Sequence, residues 1–379
     1  MKAITIKGPD YNSVVNKTEK MLKKGHTPNL AIVFLSIDHD DQELAVYLNS
    51  KGIQVFGATT SGEFIDGVIE EYSITLMLLD VNPEYFRLVF LETGDKSSFD
   101  ISNKLGQIGK ATFSNAAFII ASGWLSQDGE AIIEGITEGY GKEVTIFGGM
   151  AGDDLALKGP KVFTFNKSSD KGIVALIIDK SKIEVNGIAT CGWKPIGTTK
   201  TITKSEGNIV YTIDDKPALD MIMKYLGIEM DVESGKEIVS QLSSYYPLQM
   251  ERPGVSPVMR TAMFANKEDR SLICAGNVTQ GAKVRFSLPP DFDAIEAVVD
   301  ECEQLKSSAQ MDADAIIMFS CISRRLSFGV MMPEELEQVQ QVWNAPMIGF
   351  FSYGEYGKSK TGKHEFHNNT CCVVTLKEK

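Results

Sequence analysis

Ile53-Gln-Val-Phe-Gly-Ala-Thr-Thr-Ser-Gly-Glu63 decides how the rest of the chain is read, because its pattern recurs. Val144-Thr-Ile-Phe-Gly-Gly-Met-Ala-Gly-Asp-Asp154 and Met347-Ile-Gly-Phe-Phe-Ser-Tyr-Gly-Glu355 repeat the same order. Each is a short apolar run, then a small or glycine-rich stretch, then an acid. Upstream of each lies another continuous apolar run: Leu30-Ala-Ile-Val-Phe-Leu-Ser36, Ala116-Ala-Phe-Ile-Ile-Ala-Ser122 and Ala315-Ile-Ile-Met-Phe-Ser320. Between each pair is a helical stretch, predicted at about 42–51, 128–139 and 333–343. Asp128 is placed to cap the second, and Pro333 suits the first turn of the third.

The unit is therefore strand, helix, strand, loop with acid, three times over. Continuous apolar strands are buried on both faces, as in a sheet covered by helices. A strand–helix–strand unit makes a parallel crossover, and ligands bind such sheets beyond the C-terminal strand ends. All three acidic loops fall at that edge, where glycine lets backbone approach a ligand closely. Tight strand exits copied by duplication are the structural alternative.

Segments 72–79 and 85–90, separated by Asp80–Glu84, carry a hairpin signature. Segments 172–178 and 183–189, joined by Asp179–Lys182, look the same. The predicted class is thus α/β, with mixed sheets built from repeated βαβ units in two domains, 1–212 and 213–379. Thr198–Thr203 is β-rich and 208–213 reads as a strand. Ala218–Leu226 reads as an amphipathic helix stopped by Gly227. Tyr246–Pro257 reads as an exposed loop or insertion.

With 379 residues the chain is about two to three typical domains long. A net charge of −12 and clustered basic residues no longer than pairs exclude a broad polyanion-binding surface. The Met1 end has no apolar core of a secretory signal, and no window reaches the ~20 apolar residues of a membrane span. Cys191, Cys274, Cys302, Cys321, Cys371 and Cys372 show no CxxC spacing, so neither a zinc site nor a disulfide framework is expected. Reduced thiols in the cytoplasm fit.

The ordered set of motifs resembles the FIST family. Phe56–Glu63 and Phe147–Asp154 match an N-terminal FIST domain. Pro217-Ala-Leu with Tyr225-Leu-Gly227, Phe319-Ser-Cys-Ile-Ser-Arg324, Gly349–Glu355 and Phe366-His-Asn-Asn-Thr370 match a C-terminal one. The resemblance covers about Leu30 to Leu376. It implies an intracellular sensory module that binds a small molecule, amino acids being the usual suggestion. Such modules are often fused to output domains. None follows Lys379 in this sequence, so a separate signalling partner is expected.

The candidate ligand-binding residues are Thr60, Ser61 and Glu63 in the first loop and Asp153 and Asp154 in the second. Cys321, Arg324, Tyr353, Glu355 and Asn368 complete the set. Arg324 or Arg325 can clamp a carboxylate bidentately, or Arg324 can form a structural ion pair with an acid such as Glu355. With the loop acids, an arginine suits a zwitterion. The alternative is a cysteine-dependent hydrolase or transferase, with Cys321 near a guanidinium as nucleophile and His367 as base. Against it, Cys321 can be a small buried strand-end residue. His364 and His367 form HxxH in a predicted turn without a second ligand pair, so no metal is assigned. Gly148–Gly152 lacks the Gly-Lys-Ser/Thr of a P-loop, and no cofactor is expected.

Overall fold

The three repeats fold into one shared series of elements. The computed structural model describes residues 1–123, 128–156, 159–227, 244–288, 290–309 and 312–379. Unit I comprises β1 (Lys2–Gly8), α1 (Tyr11–Lys23), β2 (Leu30–Ser36), α2 (Asp41–Ser50) and β3 (Gln54–Thr60). It continues with the hairpin β4 (Glu63–Ile65) and β5 (Val68–Glu70), and returns as β6 (Ile74–Asp80). Unit II repeats it: β7 (Phe86–Glu92), α3 (Ser98–Thr112), β8 (Ala116–Ser122), α4 (Gly129–Tyr140), β9 (Thr145–Met150), β10 (Val162–Thr164), β11 (Lys167–Ser169) and β12 (Gly172–Asp179).

Unit III begins with β13 (Ile183–Thr190) and is interrupted by a separate eight-stranded sheet. That sheet holds β14 (Pro195–Glu206), β15 (Ile209–Ile213), β16 (Lys216–Pro217), β17 (Leu248–Arg252), β18 (Val255–Arg260), β19 (Ala262–Ala265), β20 (Leu272–Cys274) and β21 (Lys283–Ser287), with α5 (Ala218–Leu226) against it. The unit resumes with α6 (Phe292–Ala309), β22 (Ala315–Cys321), α7 (Ile322–Phe328), α8 (Met332–Trp343), β23 (Met347–Ser352), β24 (Glu355–Lys358), β25 (His364–His367) and β26 (Cys371–Glu378).

Local chemistry sets these boundaries. Asp40, Ser97 and Asp128 accept backbone N–H bonds as N-caps of α2, α3 and α4, and Asp100 completes a capping box with Ser97. α5 ends where expected, at Gly227 with φ 64°. β2, β8 and β22 are buried at every residue. Their parallel partners are β3, β9 and β23, as the βαβ reading requires.

Both expected hairpins are absent. β6 pairs with β1 and β2, whereas β7 pairs with β12 in a different sheet. β12 likewise pairs with β7 and β8, and β13 with β26. Each short connection carries the chain out of one sheet and into the next. Tyr246–Pro257 is not an exposed loop: β17 and β18 form an antiparallel pair there, within the inserted sheet. His364–His367, expected as a turn, is a strand.

The sheets complete one another in a cycle. The hairpin β4–β5 of unit I adds to β23 of unit III, β24–β25 of unit III adds to β9 of unit II, and β10–β11 of unit II adds to β3 of unit I. Every six-stranded sheet thus has four strands of its own and two from elsewhere. At each join an aromatic side chain of the arriving arm lies opposite a glycine of the repeated motif. The pairs are Phe64 with Gly349, Phe163 with Gly57, and Tyr356 with Gly148. A Cβ on Gly57 would lie 2.2 Å from the Phe163 ring, and one on Gly349 2.2 Å from that of Phe64. Gly57 and Gly349, expected to admit a ligand, instead admit a ring, whereas a Cβ on Gly148 would meet Ile120 O at 2.0 Å. A core drawn from all three units fills the middle, with Phe34, Phe319 and Phe350 in mutual ring contact at 4.6–6.3 Å.

Candidate functional site

The three acidic loops meet at the C-terminal strand ends, where backbone bonds lock them together. Ser61 N–H donates to Phe351 O, Gly152 N–H to Thr59 O, and Tyr353 N–H to Met150 O. Most of the expected site residues are buried in this junction. Glu63 is fully buried and accepts from the hydroxyls of Thr60 and Ser73. Glu355 does the same one unit away, accepting from Ser352 Oγ at 2.6 Å and Thr370 N–H at 3.3 Å. Burial pushes the Glu63 carboxyl up to about 7 and raises that of Glu355 as well. Protonated, each carboxyl can donate as well as accept. These acids are internal braces of the loops.

Arg324 is also buried, at 0% exposure, and does not pair with Glu355. Its guanidinium donates to Glu335 of α8 through Nε and Nη2, to Asn369 O at 3.1 Å and to Cys191 O at 2.5 Å. It has no face toward solvent with which to clamp a ligand. Cys321 lies at the start of α7 rather than in an open loop. Burial first, and then the neighbouring Glu355, push its thiol well above the ordinary value, the reverse of what a nucleophile needs. Burial holds His367 near 3, and its Nε2 lies 3.3 Å from Gly357 O. Among the described residues no hydrogen bond joins it to Cys321. Asn368 is buried with neither amide atom hydrogen-bonded.

What remains accessible is a cleft of about 500 Å³ to which all three units contribute. Ser61 comes from the first loop, and Ile69, Glu71 and Tyr72 from the hairpin that follows it. Asp154 and Leu155 come from the second loop. α7 supplies Ile322, Arg325 and Leu326, and Gly329, Val330 and Pro333 close the rim. Arg325 Nη1 donates to Ser61 O at 2.8 Å and Nη2 pairs with Glu71, while the guanidinium lies 5.2 Å from the Phe351 ring centre. Gly62, at φ 105°, is required here twice over, since a Cβ would also meet Arg325 Nη1 at 2.3 Å.

Asp154 accepts from Ser36 Oγ at 2.9 Å, and burial raises its carboxyl above the ordinary range. Tyr353 fixes the turn behind it: its hydroxyl donates to Asp153 Oδ1 at 2.5 Å and accepts from Leu155 N–H at 2.9 Å. Three residues lining the cleft, Tyr72, Asp154 and Leu155, hold the left-handed conformation at φ 50°, 53° and 63°. Non-glycine residues take this region at a cost, and such strain gathers at functional sites. Of the expected residues the cleft therefore keeps Ser61 and Asp154, with Tyr353 and Asp153 behind them. It adds Glu71, Tyr72 and Leu155, which the loop motif did not flag. Of the two arginines weighed for a carboxylate, Arg325 lines the cleft and Arg324 is buried.

Among the described residues no helix is long and apolar enough to cross a membrane, and no three His, Cys, Asp or Glu side chains are grouped to hold a metal. A family model described as FIST N domain matches residues 29–216, and one described as FIST C domain matches 218–358. An uncharacterized protein of Methanocaldococcus jannaschii is 24% identical over 260 residues, covering 62% of this chain and 49% of the relative. The chain thus spans about half the length of the curated relative it matches.

Proposed function

The chain belongs to the FIST family, with its N and C domains in that order, and on that footing we propose that it is a sensor for a small zwitterionic metabolite of the amino-acid class. FIST domains are regarded as sensory, ligand-binding modules of signal transduction. The observation that carries the reading is one cleft holding Arg325 and Asp154 at the meeting point of three loops, beside strained backbone. Arg325 takes the ligand carboxylate by a forked pair of hydrogen bonds, displacing Glu71. Asp154, ionised when an ammonium group sits beside it, takes the amine. Ile69, Leu155, Ile322 and Leu326 supply apolar walls for a side chain. Ligand binding draws together a loop of each unit, and a separate partner reads the result.

The test is calorimetric titration of the protein with the twenty amino acids and their decarboxylated amines. Saturable binding of an amino acid, lost for its amine and in Arg325→Ala, is the expected outcome. Binding unaltered by Arg325→Ala would move the pocket elsewhere. No binding by any of them would remove the amino-acid reading.

A further inference from the structure

A second cleft runs between α6 and the β24–β25 hairpin, away from the strand ends just described. It holds about 470 Å³ and joins, through Glu301, Ser359 and Lys360, a chamber of about 220 Å³ that reaches Trp193 beside the inserted sheet. Boundaries between such units are where ligand pockets concentrate.

Its charge is opposite to that of the chain. The sequence carries −12 overall, yet among the described residues the wall of the larger cleft bears Lys180, Lys358 and Lys360 against one carboxylate, Glu301. Glu301 is occupied by the Thr190 hydroxyl. Among the described residues none of the three ammonium groups is ion-paired. Lys180 donates to Thr145 Oγ1 at 2.8 Å and Lys360 to Gln304 Oε1 at 2.6 Å. Lys180 is lowered by burial first and then by Lys379 and Lys358, although Glu184 opposes this, and His364 in the same wall is held near 4 by burial with Lys358 and Lys180 adding. Like charges gathered in a cleft raise its affinity for an anion. A neutral donor completes the set: Ser359, 8% exposed, has a hydroxyl without a hydrogen-bond partner and lines both chambers.

We propose that this cleft is a second ligand site, taking a compact dianion of the phosphate or phosphorylated-metabolite class on Lys180, Lys358, Lys360 and the Ser359 hydroxyl. Lysines act as point charges that surround a tetrahedral group, whereas a planar carboxylate is matched by the arginine fork, and among the described residues no arginine lines the cleft. The site is independent of the zwitterion cleft and stands whether or not that reading does.

Titration calorimetry with inorganic phosphate at pH 8, where it is the dianion, at an ionic strength fixed with potassium chloride, tests it. Saturable binding to one site per chain is expected. The double variant Lys358→Glu/Lys360→Glu weakens it at least tenfold, Ser359→Ala weakens it several-fold, and Arg325→Ala leaves it unchanged. Lys358 and Lys360 are exposed, so the double variant keeps its fold. Absence of saturable binding, or an affinity for the double variant within twofold of the parent, overturns the proposal.

Discussion

Replacing Glu63 by glutamine should stabilise the protein at alkaline pH and leave it nearly unchanged in acid. Glu63 is fully buried, and burial raises its carboxyl from 4.5 to about 7. Between those values the folded chain holds a proton that the unfolded chain has released. Stability from this group is therefore complete below about pH 4.5 and falls as pH rises, levelling off once the folded group also ionises near 7. Every pH unit between the two values is worth about 1.4 kcal/mol, so the whole cost is about 3 kcal/mol at pH 8. Glutamine keeps the shape, can accept from Ser73 through Oε1 while its amide N–H donates to the Thr60 hydroxyl, and never ionises. With an unfolding entropy of about 2.1 cal/mol/K per residue, that difference raises the melting temperature by roughly 4 °C. Differential scanning calorimetry of both proteins at pH 5 and pH 8 reads it directly. A glutamine variant equally stable relative to its parent at both pH values would show that Glu63 carries no displaced proton, and the account of its environment would fail.

The adjacent arginines should separate cleanly. Arg324→Ala leaves Glu335 buried and unpaired and should cost about 3–5 kcal/mol by chemical denaturation. Arg325→Ala should keep near-parental stability and lose the ligand; the opposite ranking would refute the assignment. Gly57→Ala, which forces a methyl into the Phe163 ring, should destabilise by at least about 1–3 kcal/mol, and the double change Gly57→Ala/Phe163→Leu should recover part of that in the same assay. Cys321 should resist iodoacetamide at pH 7 in the native protein and react once unfolded, as followed by peptide mass spectrometry. Rapid native labelling would return it to candidacy as a nucleophile.

The repeated units were legible because β2, β8 and β22 are nearly continuous apolar runs, each followed by a helical stretch, with Asp128 marking the start of α4. Strand partnership was not. Asp80–Glu84 has the length and composition of a hairpin turn, and nothing local tells the chain to change sheets there. The difference sits in the partners: β6 is inserted between β1 and β2, whereas β7 is an edge strand. The acids of the loops lie at the C-terminal strand ends as expected, yet their depth was hidden, since the same Gly-Glu pattern serves a brace or a ligand. Arg324 and Arg325 differ by one step of about 100° around α7, enough to send one inward and the other to the cleft. Choosing between them requires the phase of a seven-residue helix, and too few apolar positions precede it to set that phase.

The cyclic exchange of hairpins bears on how the chain is made. β4 and β5 leave the ribosome early, but their place is beside β23, nearly three hundred residues later. Until then the first unit has a dangling arm and the strand β23 that should receive it does not exist. Contacts so distant in sequence slow folding, because the loop must close before they form. Of the three six-stranded sheets, only that of unit I can close before the C-terminal strands are made, since the arm of unit II completes it. Vectorial emergence leaves the aromatic arm of unit I, Phe64 foremost, exposed to solvent and to chaperones until β23 arrives to cover it.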